Sequence, residues 1–162
     1  MSTNSKQLTE EATPTYLGQS GLDRSRTLTE FNNARVSSAD YHPVWLDNLA
    51  ADVTLEGSMM DGAVKGPEAV RSIVAVIRTL YENQEFNFAG PYEDNAFVEV
   101  YNAGVRGEPI GGVVLVSRNA AGQAQHIVAG YRPRSTVLLL SRLLGVHFAG
   151  TPYGEHFLTG ED

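Results

Sequence analysis

The chain of 162 residues contains no cysteine. No disulfide framework can form, and no thiol is available as a nucleophile or metal ligand. Positive charge is scarce: 12 Lys and Arg stand against 19 Asp and Glu, for a net charge of −7. A general nucleic-acid binder needs a basic face to displace counterions from phosphate, so that class is excluded by charge. No apolar run approaches the roughly 18–20 residues of a membrane-spanning helix, and the opening MSTNSKQLTEEATP lacks the apolar core of a secretory signal. A cytoplasmic protein with no membrane partner is expected. The four histidines, at 42, 126, 147 and 156, have no short ligand spacing, so no metal site is expected. There is no P-loop, no G-x-S-x-G elbow and no dinucleotide fingerprint, so no cofactor is expected either.

What is present is organised around residues 52–81, DVTLEGSMMDGAVKGPEAVRSIVAVIRTLY. Gly66, Pro67 and Glu68 mark a helix start: Pro suits the first helical position, and Glu complements the positive end of the dipole. Val70, Ile73, Val74, Ile77, Leu80 and Tyr81 then form one stripe on a 3.6-residue period, with Arg71, Ser72 and Arg78 on other faces. Such a helix needs a surface to cover, most simply a sheet. Before it, Val53 and Leu55 share one side of a short strand, with Thr54 and Glu56 on the other.

After the helix come four strand signals, at 84–92, 95–103, 108–118 and 123–132, broken by Gly-, Pro-, Asn- and Asp-rich turns. Three successive hairpin links predict an antiparallel meander. Gly111-Gly112 inside the third signal predicts a bend in the sheet. Upstream, Leu22, Leu28, Phe31 and Ala34 make a thin stripe that predicts a helix near 24–37. Residues 42–50, HPVWLDNLA, predict a second, short helix. Residues 135–148, STVLLLSRLLGVHF, predict a final apolar helix, and 151–162 have no clear class.

The order D-V-T-L-E-G, a short Gly-broken connection, then G-P-E-A-V-R, followed by the meander, resembles the nuclear transport factor two-like superfamily over roughly residues 40–133. That superfamily includes ketosteroid isomerases, SnoaL-like polyketide cyclases and limonene epoxide hydrolase. The resemblance implies an α+β cone, a cystatin-like curved roll: N-terminal helices packed on a strongly bent, mostly antiparallel sheet around an apolar pocket. The C-terminal helix is an addition. Three segments are expected: a polar tail (1–15), the cone domain (16–133) and the apolar helix with its tail (134–162). The superfamily's habit of pairing through the outer sheet face implies a homodimer.

The resemblance also locates what is missing. Matched without gaps, the general-base position of the ketosteroid isomerases falls on Gly57 and their oxyanion-hole Asp on Val114. Their oxyanion Tyr falls near Asn33. No Asp lies inside a predicted strand, which also opposes the epoxide-hydrolase and cyclase sets. The first expectation is therefore a protein that binds a small apolar molecule and is not an enzyme. Its pocket would draw on Trp45, Leu55, Met59, Val74, Ile77, Phe88, Val114, Ile127, Ala129 and Tyr131. The second is an isomerase, cyclase or dehydratase using Glu56 with Tyr41 or His42, which needs Glu56 buried. The third is an interaction module with a filled interior. Glu99 and Tyr101 are expected on an exposed or interface face, and His126 on the outer face of the sheet.

Overall fold

The structure, a computed structural model, describes residues 42–159. The tail, the helix expected near 24–37 and Tyr41 lie outside the described residues. The described residues open with a 3-10 turn, Val44–Asp47, then β1 (Leu49–Gly57), β2 (Val64–Lys65) and helix α1 (Pro67–Leu80). A meander follows: β3 (Glu82–Tyr92), β4 (Ala96–Val105), β5 (Glu108–Arg118) and β6 (Ala124–Arg132). Helix α2 (Arg134–His147) and a second 3-10 turn, Gly154–His156, complete it. One six-stranded sheet runs in the order β2-β1-β6-β5-β4-β3. Every neighbouring pair is antiparallel except β1 with β6, which is parallel. This is the α+β cone.

Helix α1 forms where its punctuation predicts, with Pro67 at its first turn and Ala69, Val70, Ile73 and Ile77 buried against β1. Burying such aliphatic side chains is worth about 1.5–3 kcal/mol each. Arg71, on the flank, donates to the Leu46 carbonyl through Nε and Nη2 at 3.3 and 3.2 Å. That bond fixes the 3-10 turn, and Trp45 with it, over the helix.

The short helix expected over 42–50 is corrected to this single 3-10 turn. The strand begins too soon for a helix: the Asn48 carbonyl accepts from the Ala124 N–H at 2.8 Å and Leu49 already pairs with Ala124. The Gly-broken connection also holds a strand: Val64 lies opposite Leu55 in β2.

Helix α2 packs on α1 and on β4, β5 and β6 of its own chain. Thr136, Val137, Leu140, Ser141 and Leu144 are buried beneath it. Gly145 does not end the helix. A Cβ there would fall 2.0 Å from the Leu158 carbonyl oxygen, so the glycine admits the returning tail. The tail is then pinned: Phe157 stacks on Phe148, and Asp61 and His156 exchange hydrogen bonds of 2.8 and 2.7 Å. Among the described residues no helix is long and apolar enough to cross a membrane.

Candidate functional site

Strand alternation and register define what the cone encloses. Two inward rows cross the sheet. In one, Phe86 pairs with Tyr101, Tyr101 with Gly112, and Gly112 with Tyr131. In the next, Ala89 pairs with Glu99, Glu99 with Val114, Val114 with Ala129, and Ala129 with Gly57. Directly opposed residues on one face lie about 4.5–5.5 Å apart at Cβ, so each row is a line of touching side chains.

Gly112 organises the first row. A Cβ there would lie 2.8 Å from Tyr131 Cε1 and 2.9 Å from Tyr101 Cε2 and Cζ. The empty position lets both rings lean over it. Their hydroxyls meet at 3.1 Å, and the Tyr101 hydroxyl also meets that of Tyr81, just past the end of α1, at 2.8 Å. Burial pushes the Tyr81 and Tyr101 hydroxyls well above the ordinary phenol range and Tyr131 above it. Neighbouring Tyr131 reinforces the shift of the first two, and the Glu99 charge that of Tyr81 and Tyr131.

In the second row stands Glu99, 3% exposed. Its Oε1 accepts a hydrogen bond from Trp45 Nε1 at 3.0 Å. A carboxyl group in such surroundings is costly unless it is hydrogen-bonded. The polar wall is completed by Arg78 and Gln84; among the described residues Oε1 of the buried Gln84 has no hydrogen-bond partner.

These groups face a cavity of about 40 Å³ between α1 and the sheet. Nine of the ten side chains expected in the pocket line it: Trp45, Leu55, Met59, Val74, Ile77, Val114, Ile127, Ala129 and Tyr131. Phe88 does not. The register of β3 against β4 shifts between Phe86 and Phe88, so the buried Phe86 opposes inward Tyr101 while Phe88 opposes Val100, whose alternation from Glu99 turns it outward.

Of the expected acid–base set, Glu56 and His42 do not meet, and Tyr41 lies outside the described residues. Glu56 is on the outer face of β1, half-exposed, with its Oε1 3.3 Å from His126 Nε2. His126 also hydrogen-bonds Thr54 through Nδ1. Alternation explains this: Leu55 points into the cavity, so Thr54 and Glu56 point away. His42 is exposed and bonds Asp47 at 2.8 Å across the 3-10 turn, outside the cavity lining. His126 is on the outer face, as alternation predicts. The expectation of an exposed face for Glu99 and Tyr101 is corrected: both are buried.

At Gly57, a Cβ would stand 2.3 Å from the Ala129 carbonyl oxygen, so this row end has no room for a side chain. Among the described residues no group of three or more His, Cys, Asp or Glu is placed to hold a metal ion.

The geometry is that of a cystatin-like α+β cone, and comparison with solved structures agrees. The chain superposes on a protein with a cystatin-like fold from Silicibacter pomeroyi DSS-3 with a TM-score of 0.61, at 17% identity, over 65% of this chain and 74% of that one. It superposes on a steroid delta-isomerase from Pseudomonas aeruginosa with a TM-score of 0.59, at 18% identity, over 64% and 77%. A de novo designed protein with a curved β-sheet gives 0.51, at 16% identity, over 72% and 95%. At these identities the likeness is one of fold. No family model and no curated protein matches the chain.

Proposed function

We propose that the chain is a small-molecule-binding protein that holds its ligand inside the cone. Apolar parts of the ligand lie against Leu55, Val74, Ile77 and Ile127, and its polar group faces the wall of Glu99 and the tyrosines. The observation that carries this reading is the burial of Glu99 beside a cavity. A purely structural interior gains nothing from a carboxyl group that an apolar side chain of similar volume would not supply. The cavity of about 40 Å³ admits a group of a few heavy atoms, since one water needs about 10–15 Å³ on such a measure. A longer ligand has to displace Met59, whose flexible thioether suits that role. A second copy of the chain, paired through the outer sheet face where Val113 is exposed, is part of the same proposal. Native mass spectrometry of protein purified without denaturant tests both: one small molecule per chain, and an even number of subunits, are expected. A ligand-free monomer that no small molecule stabilises against heat would contradict both.

An acid–base enzyme of the isomerase, cyclase or dehydratase class is the second reading, with Glu99 in place of Glu56. Glu99 lies directly across from Val114 and in one row with Gly57. Those two positions are where the resemblance to the ketosteroid isomerases expects carboxylates, so the acid would have moved to the neighbouring strand. Proton transfer to or from a bound carbon acid, abolished by Glu99→Gln with binding retained, supports this reading. The smallness of the cavity favours the third, an interaction module with a filled interior, and the same mass spectrum separates it from the first.

A further inference from the structure

We infer that the C-terminal tail sets the size of ligand that the cone admits, because it clamps the loop that carries Met59. This rests on the ligand-binding reading above and adds the regulation of that site.

Met59 is 1% exposed and lines the cavity. Its Sδ lies 2.9 Å from where a Cβ on Gly57 would stand, so the thioether fills the space that Gly57 leaves open at the end of its row. Most of the lining stands on strands or on α1, while Met59 stands in the connection from β1 to β2. Ser58, just before it, is tied to β6. Its N–H donates to the Ala129 carbonyl at 3.0 Å, and its Oγ accepts from the Tyr131 N–H at 2.8 Å. From Met59 to the start of β2, among the described residues, the hydrogen bonds that leave the loop go to one residue, His156. The Asp61 N–H donates to the His156 carbonyl at 2.8 Å, and His156 Nδ1 donates to the Asp61 carbonyl at 2.7 Å.

The tail is itself held from the other side. The Leu158 N–H donates to Ser141 Oγ at 3.1 Å, Phe157 stacks on Phe148, and Gly145 leaves room for the Leu158 carbonyl. Ser141 and Gly145 are on α2, and Phe148 directly follows it. The far end of the Met59 loop is therefore fixed to α2 through the tail, and not to the sheet. A ligand that fits beside Met59 binds without moving the loop. A larger one binds only the state in which the loop has swung out, and its affinity is reduced by the fraction of molecules in that state. Losing one hydrogen bond of the clamp raises that fraction about two- to tenfold. The same opening exposes the Asp61 amide to solvent exchange. The gain in affinity for a large ligand and the gain in exchange at Asp61 should therefore match.

The test compares the wild type with His156→Phe, which keeps a ring and loses the donor, and with Gly145→Ala, which drives a methyl group into the Leu158 carbonyl. Xenon is the small probe and benzene the large one, both titrated by NMR. In the variants benzene should bind about two- to tenfold more tightly, with xenon unchanged. Amide exchange at Asp61, measured against the fully buried Val116 of β5, should quicken by the same factor as benzene gains. If Gly145→Ala does not fold, His156→Phe carries the test alone. Unchanged benzene affinity in folded His156→Phe, with xenon still bound, would overturn the inference and leave the ligand-binding reading intact. Equal gains for xenon and benzene would also overturn it, as would a benzene gain without faster exchange at Asp61. If neither probe binds the wild type or a variant, both readings fall.

Discussion

Two glutamates on two strands of one sheet have opposite surroundings. Glu56, on β1, faces outward, with a side chain 46% exposed, beside His126. Glu99, on β4, faces inward at 3% exposure, held by the Trp45 indole, in the same cavity lining as Tyr81, Tyr101 and Tyr131. Water screens the first pair, so its worth is small whatever the geometry. The second has no such screening, so every hydrogen bond near it counts. Residue type and strand position are similar in the two; the direction of the side chain decides which of them lines the cavity.

The contrast is sharpest under truncation. Glu99→Ala should destabilise the fold by about 3 kcal/mol: the indole N–H left without its acceptor accounts for about 1–3, and the vacated volume adds to it. Glu56→Ala should stay within about 0.5 kcal/mol. Urea unfolding of the two variants measures the difference, and equal effects would break the comparison.

The glycines make the next test. Gly112→Ala pushes a methyl group into the Tyr101 and Tyr131 rings and should cost about 1–3 kcal/mol. On the outer face, a Cβ on Gly130 finds nothing nearer than 3.9 Å. Gly130→Ala should therefore be neutral or stabilise by up to about 1 kcal/mol, by restricting the unfolded chain. Thermal unfolding of both reads out the opposite signs.

Alkaline pH gives a third, directional test. The Tyr81, Tyr101 and Tyr131 hydroxyls titrate higher in the fold than in the unfolded chain. Above about pH 10, the ordinary phenol value, the unfolded state therefore holds fewer protons than the native one. The stability linked to these groups is complete below that pH and is lost as pH rises through the folded values. Ultraviolet titration should show part of the tyrosine complement ionising late or only with unfolding. His126→Ala, which removes the same exposed pair as Glu56→Ala, should likewise change stability by less than about 0.5 kcal/mol.

Much of the fold was legible in the sequence. The α1 stripe carries its own start signal, and the meander strands are bounded by turn residues, so both elements emerge from local patterns. What was not legible depends on pairing. The parallel contact of β1 with β6 is made by residues more than seventy apart in the chain, and no local period reports it. The segment 42–50 has helical composition but is claimed by strand pairing at Asn48 and Leu49.

Most of the apolar cavity lining follows from alternation, while its polar wall was missed for a physical reason. In β4 both faces carry apolar residues: Val98 and Val100 on one, Phe97 and Tyr101 on the other. Hydrophobicity therefore could not say which way Glu99 points. The shifted register after Phe86 likewise turned Phe88 out against a regular two-residue period. A usable signal was Gly112, a glycine inside an apolar strand; empty strand positions often lie beneath aromatic partners.

The central claim is that the inner glutamate, not the outer one, marks the ligand site. Ligand-observed NMR screening of a library of small neutral molecules against wild type, Glu99→Gln and Glu56→Gln tests it most directly. Compounds that bind the wild type should keep their signal with Glu56→Gln and lose it with Glu99→Gln. Binding that survives Glu99→Gln but fails with Glu56→Gln, or no binding to the wild type at all, would contradict it.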